Sequence, residues 1–127
     1  MTIERLERIL KEKPALANIP IVRVDGRAYT IREVVELYKV GRLDSRVLER
    51  IREVGLDPSE EDVWELAKEY FKRIGEKYPD IRVTILGVGT LSIREIVYLI
   101  EKRDPRVRSL VESYKDVLSY IRSGSLW

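Results

Sequence analysis

The residues of this chain that could do chemistry are arginines placed at the starts of predicted helices. Residues 30–33 read Thr-Ile-Arg-Glu, and residues 92–95, 62 positions later, read Ser-Ile-Arg-Glu. Arg32 and Arg94 therefore share one place in a repeated phrase, inside a first helical turn whose dipole disfavours a cation. Two guanidinium groups beside the free amides of two helix starts could together hold an anion such as phosphate.

Further basic residues gather where each predicted second helix begins. We call these two clusters, one at the start of each second helix, the basic corners. A pair of such clusters suits a surface that follows a phosphate backbone. In an alternative that needs no ligand, Arg32 pairs with Glu36 one helical turn further on. Arg94 then stacks on Tyr98, and the corners are a solvated face with interleaved acids. The full set of candidate contacts to an anion or a nucleic acid is Arg32, Arg94, Arg42, Arg46, Arg103, Arg106 and Arg108.

The absence of histidine and cysteine from the chain excludes several kinds of active site. Ser-His-Asp and Cys-His catalysis and a tight zinc site all need residues that a single copy does not have. Residues 87–92, Gly-Val-Gly-Thr-Leu-Ser, approach the glycine pattern of a dinucleotide-binding turn. Ser92 replaces the third small residue, however, and no strand with an acid follows. We therefore predict no catalytic residue, no cofactor, no metal and no enzymatic activity.

Composition and charge indicate a stable protein without a membrane partner. Apolar residues make up 44% of the chain and charged residues 36%, with 24 basic and 22 acidic residues that nearly cancel. Such a balance neither supports nor excludes a nucleic-acid partner. Many charged residues with few thermolabile ones are typical of hyperthermophiles, and the alternative is chance in a short chain. In style the sequence resembles small proteins of hyperthermophilic archaea and of their mobile elements. Charges from the fourth residue onward and the lack of a long apolar run predict a cytoplasmic protein.

The repeated phrase also predicts where two helices begin. In residues 30–33 and 92–95, a hydroxyl residue is followed three places later by glutamate, which is the pattern of a capping box. Each phrase follows a predicted strand and turn, and Asp44 and Asp104 each start another helix after it. The repeating unit is therefore strand, turn, a possible short second strand, helix, helix. The strands are predicted at 19–24 and 81–86, the turns at 25–26 and 87–89, and the pseudo-repeats at 19–55 and 81–122.

These elements predict a single helix-rich α+β domain that spans residues 1–127. The duplicated strand-turn-helix-helix units are expected to pack about a pseudo-twofold axis around a small β-sheet. Outside the units, apolar spacing predicts an N-terminal helix at residues 3–12. Acidic residues at 57–62 open a long middle helix, and a long C-terminal helix covers roughly residues 105–122.

Two places are candidates for contacts with a partner or a second copy. In the last helix, Val111, Tyr114 and Leu118 belong to a heptad-like stripe that suits pairing with another helix. Leu126 and Trp127 form an apolar tail that could dock in a groove. The alternatives are that the stripe faces the chain's own core and that the tail is frayed.

The first predicted function is a non-enzymatic interaction and oligomerisation module that self-associates or binds another protein. The alternative is a nucleic-acid-binding protein that uses the paired arginine-bearing helix starts and the basic corners.

Overall fold

Strands and helices follow one another in the predicted order, and the predicted unit occurs twice. The computed structural model of the chain describes residues 2–53 and 58–123. This arrangement confirms a helix-rich α+β fold. The helices are α1 (Ile3–Glu12), α2 (Ile31–Lys39), α3 (Ser45–Glu53), α4 (Glu60–Lys77), α5 (Ile93–Glu101) and α6 (Arg108–Ser123). The strands are β1 (Pro20–Val24), β2 (Arg27–Thr30), β3 (Arg82–Ile85) and β4 (Gly89–Ser92), and short 3-10 turns cover Pro14–Leu16 and Pro105–Val107.

Both repeated phrases start their helices through the predicted capping boxes. The Thr30 hydroxyl accepts a hydrogen bond from the Glu33 amide at 3.1 Å, and the Glu33 carboxylate accepts one from the Thr30 amide at 3.0 Å. The same two bonds join Ser92 and Glu95 at 3.2 and 3.5 Å. Each box satisfies backbone donors that a helix leaves unpaired in its first turn. The prediction is confirmed for both copies.

The four strands form two separate hairpins, whereas the sequence predicted units around one small sheet. β1 pairs antiparallel with β2, and β3 with β4, and no ladder joins the two pairs within the described ranges. The reason is that helices α3 and α4 pack against β1 in place of the second hairpin. Asp25 and Gly26 close the first hairpin with φ of 51° and 79°, as a two-residue type I′ turn requires. Three residues, 86–88, close the second hairpin.

The helix-to-helix turns of the two units share one backbone conformation. Gly41 follows α2 with φ of 70°, and Arg103 follows α5 with φ of 56°. Each turn closes with a backbone hydrogen bond from the next residue to a carbonyl five positions earlier, at 2.8 and 2.9 Å. This is the longer bond of a Schellman motif. The first turn has two more residues before its next cap, Asp44, so the loop between the two helices is two residues longer in the first unit.

The core is shared by all the described helices and by the first hairpin. Helix α4 packs against α5, α6 and β1, so it links the two units. A Cβ atom at Gly75 would lie 2.8 Å from Cγ2 of Ile93, so glycine allows α4 and α5 to pack this closely. Among the described residues, the side chains of the first hairpin contribute far more to this core than those of the second.

Candidate interaction surface

The structure places the two first-turn arginines in different surroundings. The Arg32 Nε donates a hydrogen bond to the Asn18 side chain at 3.3 Å, rather than pairing with Glu36. Arg94 lines a shallow groove of about 290 Å³ between α4 and α5, and its side chain has no hydrogen bond or ion pair within residues 2–53 and 58–123. The ring of Tyr98 is covered by the Lys102 ammonium, 5.6 Å from its centroid. No observed contact joins the two guanidinium groups into one site.

The basic corners are neutralised by acids that also start the next helix. The Asp44 carboxylate accepts hydrogen bonds from the amide and guanidinium of Arg46, both at 2.8 Å, and Arg46 also bonds Asp25. Asp104 binds the amide and guanidinium of Arg106 in the same way, at 2.9 and 2.8 Å. The Arg106 side chain and amide lower the pKa of Asp104 to about 2. Arg46 and Arg106 are therefore fixed in ion pairs that belong to the turns.

Arg103 holds α5 against α4. Its guanidinium lies 2.5 Å from the Glu61 carboxylate and 3.3 Å from that of Glu65. It also donates to the Ile100 carbonyl at 2.8 Å and lies 5.5 Å from the ring centroid of Trp64. Burial lowers the pKa of Arg103, but the hydrogen bonds to the two glutamates raise it overall. A guanidinium with this many partners is a structural group.

Arg42 and Arg108 remain exposed and available. Arg42 lies in the turn after α2, and Arg108 begins α6. Neither side chain makes a hydrogen bond or an ion pair in the part of the chain that the structure describes. With Arg94, they are the members of the predicted basic set whose guanidinium groups have no such partner there.

The predicted partner contacts on the last helix are inside the chain's own core. Val111 and Leu118 are each 1% exposed and Tyr114 is 5% exposed. The Tyr114 hydroxyl donates a hydrogen bond to the Pro20 carbonyl on β1, and burial raises the pKa of this phenol well above its usual value. These side chains are therefore closed to a second copy, because the apolar stripe faces α4 and β1. Residues 126–127, the predicted docking tail, lie outside the described residues.

A cleft of about 480 Å³ lies between the tip of the first hairpin, α3 and the start of α4. In this cleft the Asp62 carboxylate accepts a hydrogen bond from Arg23 at 3.2 Å and another from Arg50 at 2.7 Å. The charged groups that line the cleft thus neutralise one another. The arrangement fits a structural ion-pair network.

Both hairpins consist of two antiparallel strands, but the side chains of the first are largely buried and those of the second are largely exposed. In the first hairpin, Ile21 and Tyr29 are 1% and 7% exposed. In the second, Ile85 is the one buried residue among those described, and Leu86 at the tip is 100% exposed. We call residues 82–92 the exposed hairpin. Sequence reasoning missed this surface, although an apolar tip in place of Asp25 is a signal that could have found it.

Both strands of the exposed hairpin have a free edge, because β3 and β4 pair only with each other in the described ranges. Thr84 and Thr90 face each other across the strands, with their hydroxyl oxygens 2.9 Å apart on the exposed face. β3 carries the charge of Arg82, whereas β4 carries no charged residue. A free, uncharged edge is a template for pairing with another strand.

The chain matches no model of a known protein family, no curated protein and no solved structure. Among the described residues, none of the helices is both long and apolar enough to cross a membrane. The described residues also contain no group of three acidic side chains positioned to hold a metal ion.

Proposed function

We propose that this protein is a non-enzymatic interaction and oligomerisation module that self-associates through the exposed hairpin. The observation that carries the proposal is the contrast between the two copies of the hairpin. One is covered by α3 and α4, while the other leaves Leu86 fully in water. From the charged composition and the stylistic resemblance we also propose that the module is a cytoplasmic protein of a hyperthermophilic archaeon or of an archaeal mobile element.

The energetics favour a covered hairpin. A two-stranded hairpin alone is marginally stable in water and needs more strands or a packed face. The exposed hairpin contributes only Ile85 to the buried core, with Val83, Val88 and Leu91 half-buried. Removing a leucine side chain from water stabilises a contact by about 1.5–3 kcal/mol. A second copy that covered Leu86 would supply what the rest of the described chain does not.

The proposal is tested by changing Leu86 to lysine and measuring molar mass by sedimentation over a range of concentrations. Val40 is the matched control, because it is an apolar residue of the first unit that is also exposed, at 66%. We expect the wild type and Val40→Lys to associate alike. Leu86→Lys should raise the dissociation constant by about tenfold or more. A wild type that stays monomeric at every concentration, or a Leu86→Lys variant that associates normally, would overturn the proposal.

Nucleic-acid binding is the second candidate, supported by the three exposed arginines Arg42, Arg94 and Arg108. Binding of labelled oligonucleotides at low and near-physiological salt tests it, because phosphate contacts weaken steeply with salt. We expect the triple glutamine variant to lose any such binding. Binding that the triple variant retains in full would remove these arginines from the candidate site.

A further inference from the structure

The outer edge of β4 is the part of the exposed hairpin that is suited to a second strand. In the first copy, the corresponding edge belongs to β2, where the Ala28 carbonyl accepts a hydrogen bond from Arg73 of α4 at 3.3 Å. Ala28 faces Arg23 across its hairpin, as Thr90 faces Thr84 across the second. Because this hydrogen bond comes from outside the ladder, the Ala28 carbonyl points away from the partner strand β1. The first hairpin thus has its edge covered by an arginine.

The same geometry at Thr90 directs an unused donor and acceptor outward. Residues of an antiparallel pair that do not bond each other turn their N–H and C=O groups to the outer edges, and their side chains approach closely. The 2.9 Å contact between the Thr84 and Thr90 hydroxyls is the close approach expected of such a pair. Thr90 is moreover exposed to solvent, whereas Ala28 at the corresponding place of the first hairpin is 7% exposed.

We propose that β4 pairs antiparallel with β4 of a second copy, about a twofold axis at Thr90, to form a four-stranded sheet across a closed dimer. This inference rests on the proposed function and names the surface that the second copy uses. A twofold axis brings each residue near its own copy, so a self-pairing edge must not carry like charges. β4 meets that condition because it has no charged residue.

The other edge of the hairpin explains why the assembly closes. β3 carries the exposed Arg82, and Pro79 and Asp80 precede it. Charges and proline on an edge strand oppose further pairing. Two copies that meet through β4 therefore present only β3 edges outward, and growth into longer assemblies is disfavoured.

Single cysteines test the pairing directly, because the chain has none of its own. At the proposed axis, the two copies of residue 90 have Cα atoms about 5.5 Å apart, which a disulfide can bridge. The two copies of residue 84 would be about 15 Å apart, three strand spacings, which it cannot bridge. Thr84→Cys is the matched control, since both changes remove the same hydroxyl contact. Under mild oxidation we expect Thr90→Cys to form covalent dimers at least about tenfold faster.

Proline at the same two positions gives a second measurement that does not depend on oxidation. Proline is tolerated on an edge strand where the lost N–H faced outward, so both variants should keep the monomer fold. Thr90→Pro should raise the dimer dissociation constant about tenfold, whereas Thr84→Pro should leave it unchanged.

The outcomes separate this inference from the proposed function. Fast crosslinking at residue 90 with a mass of two chains supports β4 pairing. Association that depends on Leu86 without crosslinking at residue 90, or with equal crosslinking at residue 84, overturns β4 pairing and keeps the hairpin as the interaction surface. A mass above two chains overturns the closed dimer. A monomer at all concentrations overturns both proposals.

Discussion

Replacing Arg103 by glycine and by alanine separates two opposing contributions at the turn between α5 and α6. Its φ of 56° is a left-handed backbone conformation, in which residue 41 of the other unit is glycine with φ of 70°. That conformation costs a residue with a Cβ about 1–2 kcal/mol relative to glycine. The side chain offsets the cost through its contacts with Glu61, Glu65 and Trp64 and its hydrogen bond to the Ile100 carbonyl.

The magnitudes follow from those contacts. Partly exposed ion pairs contribute up to about 1 kcal/mol each, and stacking of a cation on an aromatic ring contributes about 0.5–1 kcal/mol. A hydrogen bond from a charged donor contributes about 1.5 kcal/mol. Because groups that share one side chain are not additive, we expect Arg103→Ala to lose about 2–3 kcal/mol of unfolding free energy. Arg103→Gly loses the same contacts and regains about 1 kcal/mol of backbone strain.

Urea unfolding of the wild type and the two variants measures these differences. Gly41→Ala is the matched control, because it introduces the strain without removing a side-chain contact, and it should cost about 1 kcal/mol. The predicted order of stability is wild type, then Arg103→Gly, then Arg103→Ala. If Arg103→Gly is no more stable than Arg103→Ala, or if Gly41→Ala is as stable as the wild type, the reasoning about left-handed strain is refuted.

Three further predictions concern the helix caps Thr30 and Ser92, the buried phenol of Tyr114, and the loss of stability at low pH through Asp104. Thr30→Ala should cost about 2 kcal/mol and Ser92→Ala about 1 kcal/mol in urea unfolding, because Thr30 is 3% exposed while Ser92 is half-buried. Equal costs would contradict the role of burial. Tyr114→Phe should cost about 1–3 kcal/mol in the same assay, since it leaves the buried Pro20 carbonyl unpaired. The folded-state pKa of Asp104 is about 2, below its ordinary 3.8, so its stabilisation is present above pH 4 and lost as pH falls towards 2. The melting temperature of Asp104→Asn should therefore fall less than that of the wild type between pH 4 and pH 2.

Features that depend on a few neighbouring residues could be predicted from the sequence. The two capping boxes, the Asp25-Gly26 turn and the N-terminal helix at Ile3–Glu12 all appear where they were expected. Each of these features is determined by contacts within one helical turn or one hairpin, so the local sequence is enough to predict it. The duplication is visible for the same reason, because both copies use the same local chemistry.

The candidate site could be predicted only in part. Arg46 and Arg106 were candidate contacts to an anion, with a solvated face of interleaved acids as the alternative, and each pairs with an acid two residues earlier in the chain. The spacing of those pairs is visible in the sequence. Arg103 finds Glu61 and Glu65 on another helix, and nothing in its neighbourhood along the chain indicates them.

Taken by itself, the sequence determined local features: where α2 and α5 begin, how the first hairpin turns and which unit is repeated. Only the tertiary structure decided which copy of a repeated unit is buried. Apart from their tips, the two hairpins follow the same strand-turn-strand pattern, but α3 and α4 cover the first, whereas Leu86 at the tip of the second is fully exposed to solvent. The apolar stripe on α6 would likewise suit either a partner helix or the chain's own core, and in the fold it is buried against α4 and β1. The physical reason is that capping and turn energies arise within a few residues. The burial of a side chain, by contrast, depends on which distant parts of the chain pack against it in the folded structure.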